Sequence, residues 1–252
     1  MQTHVLDDAS PATRRQVAEA LFPTFAAFYP GFRFERFVRD YFRPKARECR
    51  ALLLTDPAGE AAGLIAYCAE DIDVDGDPLL LGDAVTLRRA DQTHLGGRFG
   101  LLTTLQTFGP ALRARRRGRT PVLLLVISSP EGFRGLYDYW PRTLPRPGMT
   151  DRDGRLGRWY AALRAEAGFP VDPAAPWTFR EGVRFAVDPA RRRRREADSH
   201  PAVRFFLEHC PDYGQGQEMF VLVPFSTSDL LRAPGRMLRG MARRVIGRRR
   251  RR

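Results

Sequence analysis

Two neighbouring groups of residues have the chemistry of a ligand-binding site. Asp83 is the one acid within the apolar run 79–87, and Gly96, Gly97 and Gly100 follow in the polar segment 88–100. Glycines let the backbone approach a ligand closely, and the N–H groups at a helix N-terminus attract anions. A carboxyl group beside such a site can accept a proton. The sequence therefore predicts a phosphate or pyrophosphate site with an acid nearby.

The hydrophobic patterns around these residues predict the elements that position them. The run 79–87 is a strand, 101–117 an amphipathic helix, 121–127 a second strand and 131–140 a short helix. Because a helix connects the two strands, we expect them to lie parallel in one sheet. The loop 88–100 then lies at the carboxyl edge of that sheet.

This segment resembles the GNAT superfamily of acyl-CoA-dependent N-acyltransferases, and the resemblance covers roughly residues 52–140. In that family an acid-bearing strand leads into an Arg/Gln-x-x-Gly-x-Gly/Ala loop, and a later helix carries a Leu-Tyr pair. The matching residues here are His94, Leu95, Gly96, Gly97, Arg98 and Phe99 for the loop and Leu136 and Tyr137 for the pair. His94 replaces the usual Arg or Gln. Phe99 replaces the last small residue, unless a shift of one position gives that role to Gly100.

The resemblance implies a cofactor and a role for each matching residue. Acetyl-CoA or a longer acyl-CoA would bind with its pyrophosphate on residues 94–100, and Ser128 and Ser129 would add hydrogen bonds. The backbone amides of Val85 and Leu87 would hold the thioester carbonyl and the pantetheine arm.

The same resemblance implies how an acyl group would move to a primary amine. Asp83 would act as the base or orient a water, and Tyr137, with Tyr139 as a nearby substitute, would protonate the thiolate. From the residues alone, Asp83 fits a solvent-facing charge equally well, and Tyr137 fits a packing residue.

The remaining patterns predict an α/β protein with a mixed sheet, of GNAT-like acyltransferase fold. We expect a helix beginning at Pro11, a helix at 33–42, a hairpin of strands 51–55 and 61–69, a turn at 73–77, a helix at 155–168, strands at 178–187 and 218–225, and a helix beginning near 200. The alternating acids of the turn resemble a calcium loop, but Ala84 stands where that loop needs a Glu. The predicted domain is 1–225 with a Pro-rich insertion at about 141–200, which either caps the cleft or only packs on the sheet, followed by a basic tail, 226–252.

Charge and composition limit the other possibilities. The chain has 252 residues and a net charge of +13, with Lys45 as its only lysine, a bias typical of GC-rich bacterial genomes. The scattered cysteines and histidines predict reduced thiols and no metal site. There is no signal-peptide pattern and no apolar run long enough to span a membrane, so we expect a cytoplasmic protein.

The arginine-rich surface predicts anionic partners. Apolar residues alternate with arginines in the tail, a pattern typical of an interfacial helix on the inner membrane face or of a helix packed on the domain. An acidic acyl carrier protein could replace CoA as the donor, and the acceptor could be a small-molecule or lipid amine, as in a synthase of N-acyl amino acids. A non-catalytic module that binds membrane or nucleic acid is the alternative from another class. Nucleic acid is disfavoured, because no aromatic platform accompanies the arginines.

Overall fold

A computed structural model of the chain describes residues 2–88, 96–148, 154–167, 169, 175–180, 189–232 and 235. A seven-stranded sheet in the order β1-β2-β3-β4-β5-β7-β6 forms its centre. The strands are β1 (Gln2–Val5), β2 (Glu48–Thr55), β3 (Ala61–Val74), β4 (Asp77–Arg88), β5 (Thr120–Ile127), β6 (Thr178–Arg180) and β7 (Gln217–Pro224). β4 and β5 are parallel, and the other described pairs of neighbouring strands are antiparallel.

Helices cover both faces of this sheet. They are α1 (Pro11–Phe28), α2 (Phe34–Tyr41), α3 (Gly96–Arg116), α4 (Pro130–Tyr139), α5 (Arg155–Glu166), α6 (Pro189–Glu196) and α7 (Pro201–His209). The predicted start of α1 is confirmed: Ser10 is its N-cap, and the Ser10 hydroxyl accepts a hydrogen bond from the amide of Thr13 at 3.1 Å. A short 3-10 helix, Tyr213–Gln215, precedes β7.

The alternation of side chains along the strands separates the two faces. Leu123 of β5 packs in a cluster with α3, α4 and α7, whereas its neighbours Val122 and Leu124 pack against α5. Val85 and Leu87 of β4 lie on the same face of the sheet as Val122 and Leu124, and they pack against α1 and α2. Each fully buried side chain of this size stabilises the fold by about 1.5–3 kcal/mol. The sheet is therefore the shared core of both layers of helices.

The predicted fold class, an α/β protein with a mixed sheet, is confirmed. A helix pair, an antiparallel meander and a parallel crossover follow one another in the order that the GNAT resemblance implies. The turn at 73–77 is a hairpin turn, as predicted. Val74 and Asp77 pair across Asp75 and Gly76, whose φ angles are 53° and 80°, the conformation of a type I′ turn.

Several boundaries differ from the prediction. α3 begins at Gly96 rather than at residue 101, so 96–100 belong to the helix and not to a loop. The sequence pattern did not indicate β1, which has four mostly exposed residues at the sheet edge. It also did not indicate α6, where Arg195 is buried and donates hydrogen bonds to Glu131 and Tyr213. Of the predicted strand 178–187, residues 178–180 form β6, and 181–188 lie outside the described residues.

The beginning of the predicted tail is part of the domain. Residues 227–232 are helical, and Leu230 is buried in the cluster formed by α3, α4 and α7. The Ser226 hydroxyl donates to the Asp229 carboxylate at 2.6 Å, and the Asp229 amide donates back to that hydroxyl at 3.1 Å. The residues from 236 onward, on which the membrane-helix prediction depends, lie outside the described part. Within that part, no helix is long and apolar enough to cross a membrane.

The packing at Gly82 gives a first prediction. A Cβ atom at this position would lie 2.9 Å from Leu123 and 3.0 Å from the ring of Tyr67. We expect Gly82→Ala to lower the free energy of unfolding by about 1–3 kcal/mol, because the closely packed core must shift to admit the methyl group. Urea unfolding of both proteins measures the difference.

Gly135→Ala is the matched control. A Cβ at Gly135, on α4, meets nothing within 4 Å, so this variant should be neutral or more stable by up to about 1 kcal/mol. Equal losses in the two variants would contradict the packing argument.

Candidate active site

β4 and β5 separate in the middle of the sheet. Their register runs through five pairs, from Leu79–Thr120 to Asp83–Leu124, and ends there. β4 nevertheless continues to Arg88 beside β3, and β5 continues to Ile127 beside β7. An opening therefore forms between the two central strands at their carboxyl ends, where α/β sheets commonly bind ligands.

α3 begins at this same edge, because it follows β4 in the chain. The backbone of Gly96, Gly97, Arg98, Phe99 and Gly100 forms its first turns. The side chains of Arg98 and Phe99 lie outside the described part. So do residues 89–95, which include His94 and Leu95, and the predicted loop contacts remain predictions. The N–H groups of a first helical turn have no partner within the helix and can bind an anion.

Asp83 occupies the last paired position before the opening. Its side chain is 15% exposed and forms an ion pair with Nη2 of Arg43. Nη1 of Arg43 donates to Oε1 of Glu70 at 2.5 Å. The alternative interpretation of Asp83 as a solvent-facing charge is therefore wrong. One arginine is shared by two carboxylates on the α2 side of the sheet.

Burial raises the pKa of Asp83 to about 7. The positive charge of Arg43 opposes this effect, while the negative charges of Asp40 and Glu70 reinforce it. Taking a carboxylate out of water disfavours its ionised form. A carboxyl group with a pKa close to neutral can both accept and release a proton at physiological pH, as a general base must.

A buried arginine on α1 fixes the backbone that carries Arg43. Arg14 is 3% exposed. Its guanidinium donates to the carbonyl oxygens of Arg43 at 2.8 Å and Pro44 at 3.3 Å, and also to those of Leu6 at 3.1 Å and Asp7 at 2.8 Å. These hydrogen bonds tie α1 to the segment after α2. They hold Arg43 above Asp83.

Tyr137 lies on the other face of the sheet. It is half-buried on α4, with the guanidinium carbon of Arg146 4.1 Å from the centre of its ring and His200 at its edge. The cluster against which it packs also contacts Ala84 and Ile127, which belong to the separated parts of β4 and β5. Asp83 and Tyr137 therefore lie on opposite faces of the sheet.

The remaining predicted residues have clear structural positions. Val85 and Leu87 are each 7% exposed, point toward α1 and α2, and pair with Ala66 and Leu64 of β3. Their backbone belongs to the separated part of β4. Ser129 is the N-cap of α4, and its hydroxyl accepts a hydrogen bond from the Gly132 amide at 3.2 Å. That hydroxyl retains its own hydrogen for a further bond.

Sequence reasoning missed the residues that surround Asp83. Arg43 is 40 positions away in the chain, and Glu70 and Arg14 follow no recognisable spacing. An arginine in an arginine-rich chain carries no distinguishing signal. The one available signal was the isolated acid in an apolar strand, because a buried carboxylate needs a cationic partner.

Comparison with known proteins gives little. No model of a known protein family matches the chain, and no curated protein matches it. Among solved structures, one similar chain is a fungal multi-domain GH3 β-N-acetylglucosaminidase that contains a GCN5-related glucosamine N-acetyltransferase region. The sequence identity is 16% and the TM-score 0.27, over 84% of this chain and 25% of the other. This chain thus spans about a quarter of that protein. At this TM-score the likeness is too weak to assign a fold.

The ion pair gives a second prediction. We expect Arg43→Gln to lower the free energy of unfolding at pH 8 by about 2 kcal/mol, because Asp83 would keep a buried charge without its main partner. The loss should be smaller at pH 5. The pKa of Asp83 in the folded protein already lies above its value in the unfolded chain, and removing Arg43 raises it further. At low pH Asp83 is protonated in both states, so the variant keeps most of its stability. As the pH rises, the unfolded chain ionises first, and the folded variant loses stability. Urea unfolding at both pH values measures this difference.

The double variant Arg43→Gln/Asp83→Asn tests the cause. It should recover most of the stability lost at pH 8, because it removes the unpaired charge. The same loss at both pH values, with no recovery in the double variant, would mean that Arg43 acts through packing alone.

Proposed function

We propose that this protein is a GNAT-type N-acyltransferase, which transfers an acetyl or longer acyl group from acyl-CoA to a primary amine. The observation that carries this proposal is the separation of β4 and β5 directly after Asp83. It creates an opening at the carboxyl edge of the sheet, next to the first turn of α3. The strand order and the resemblance of segment 52–140 support the same function.

The opening suits an extended donor with an anionic end. The separated part of β4 offers backbone groups beside which an extended chain can lie, as peptides do along a sheet edge. The first turn of α3 carries Gly96, Gly97 and Gly100 and offers N–H groups to phosphates. An acyl-CoA supplies an activated thioester and a thiol leaving group. Residues 94–100, Ser129 and the amides of Val85 and Leu87 are the groups that we propose to hold it.

Asp83 would start the reaction as a general base. In its ionised form the carboxylate takes a proton from the ammonium group of the acceptor, directly or through a water, and leaves a neutral amine. The nitrogen lone pair then attacks the thioester carbonyl carbon. Burial, which raises the pKa of Asp83 to about 7, makes it a stronger base than an exposed aspartate.

Tyr137 would complete the reaction as a general acid. When the carbon–sulfur bond breaks, the electron pair stays on sulfur, and the tyrosine hydroxyl donates a proton to the thiolate. The attacking nitrogen loses its second proton to water, solvent restores the proton of the tyrosine, and Asp83 releases its proton to solvent. The products are an amide and a free thiol. The position of Tyr137 on α4, on the opposite face of the sheet from Asp83, supports a separate role for each residue.

Titration calorimetry with acetyl-CoA and a long-chain acyl-CoA, at low and high salt, tests the donor site. The matched control is a chain shortened after residue 235. The deletion starts there because Ser226, Asp229 and Leu230 are packed into the domain. Saturable binding that survives both high salt and the deletion supports the proposal. Binding that disappears with either would leave a surface module that attracts phosphates through its arginines.

A pH profile tests the base. We expect kcat/KM, measured by thiol release with a panel of primary amines, to rise as the pH passes through about 7, because Asp83 acts in its ionised form. Asp83→Asn should lose this rise and about 10²-fold or more in kcat. Asp212→Asn, at an exposed surface pair, should behave like the wild type. A rise near pH 7 that persists in Asp83→Asn would exclude this aspartate as the base.

A pair of tyrosine variants tests the acid. Tyr137→Phe should lower kcat by about 10²-fold with little change in acyl-CoA affinity, because only the proton donor is removed. Tyr139→Phe, two positions along the same helix, is the control and should keep its activity. The reverse result would assign the role to Tyr139, and full activity in both would exclude a tyrosine acid.

A further inference from the structure

A pocket lies at the opposite end of the sheet from the opening between β4 and β5. Its volume is about 580 Å³, and Thr120, the first residue of β5, and Pro224, the last residue of β7, contribute to its wall. The opening lies beyond Leu124, toward the other end of β5. Since the eight residues of β5 span about 25 Å, the two sites are separate.

Three arginines from separate segments converge on this pocket. They are Arg115 in the last turns of α3, Arg142 after α4, and Arg155 at the start of α5. Burial, followed by the positive charges of Arg142 and Arg155, lowers the pKa of Arg115, and Asp229 opposes this with a smaller effect. The positive charges of Arg142 and Arg155 therefore act unfavourably on Arg115, and a bound anion would offset this effect.

The contacts of these arginines leave an excess of positive charge. Arg155 forms an ion pair with Asp77 at 2.5 Å, and Arg142 lies 3.5 Å from the Asp229 carboxylate. Arg115 donates to the neutral carbonyl oxygen of Phe225 at 3.1 Å. Three cations thus meet two carboxylates in these contacts.

The rest of the lining combines hydroxyl groups with an apolar wall. Ser226, Thr227 and Ser228 lie on one side, with the hydroxyl oxygens of the two serines 2.9 Å apart. Leu156 and Trp159 of α5 line the pocket as well. Guanidinium groups bind phosphate oxygens in pairs. The hydroxyls of Thr227 and Ser228 can add further donors, whereas that of Ser226 already donates to Asp229. The apolar side chains can contact the body of the same ligand.

We propose that this pocket binds a small molecule in which a phosphate group is attached to an apolar or aromatic body. The phosphate lies among Arg115, Arg142 and the hydroxyls, and the body lies against Leu156 and Trp159. The ligand is distinct from the acyl donor, because the donor is proposed to bind at the other edge of the sheet.

Calorimetric titration of the full chain with phenyl phosphate tests this site. We compare the wild type with Arg142→Gln and with the control Arg180→Gln. The two arginines are matched: their side chains are 58% and 59% exposed, and each pairs with one aspartate. Arg180 does not line the pocket, because it pairs with Gln217 at the end of β7 opposite Pro224. Both variants should fold, because the substituted side chains are largely exposed.

We expect saturable binding by the wild type that Arg142→Gln weakens about tenfold and Arg180→Gln leaves unchanged. Saturating desulfo-CoA should not displace phenyl phosphate. This expectation holds whether or not CoA binds elsewhere on the protein, so failure of the proposed enzymatic function would not affect this test. No saturation, equal weakening in both variants, or displacement by desulfo-CoA would overturn the proposal.

Discussion

The unequal pairing of β4 with its two neighbours determines the form of the candidate site. β3 pairs with β4 at twelve positions, and β5 pairs with it at only five. Both central strands are held by their outer neighbours, so they can separate without leaving the sheet. A parallel sheet normally places its ligands above the strand ends. Here the two strands part within the sheet itself, after Asp83 and Leu124.

The charges at the base of this opening depend on a chain of contacts. Arg14 fixes the segment after α2 by binding carbonyl oxygens, Arg43 projects from that segment, and Asp83 and Glu70 share its guanidinium. Burying such groups is costly, and apolar residues of similar volume would often stabilise a protein as well. Such a network adds little stability, but it keeps one carboxyl group at a pKa of about 7, the property that the proposed base requires.

The sequence predicted the sheet, the crossover and the exceptional acid, because these features depend on local periodicity and on one residue of unusual type. It placed the start of α3 five residues too late, since glycines have low helix propensity and resemble a loop. It could not identify Arg43, whose partner is 40 residues distant. It also treated Ser226 as the start of a separate tail, although Leu230 is buried in the core. Burial of one leucine in a basic segment is a tertiary effect that periodicity does not reveal.

The position of β7 between β5 and β6 has a consequence for biogenesis. β7 pairs with β5 along six positions but leaves the ribosome about a hundred residues later. Until then, one side of an apolar strand has no neighbour, and such edges readily join the strands of other chains. The long sequence separation of this pairing also makes its formation slow. We therefore expect the nascent polypeptide to need protection by chaperones until β7 has been inserted.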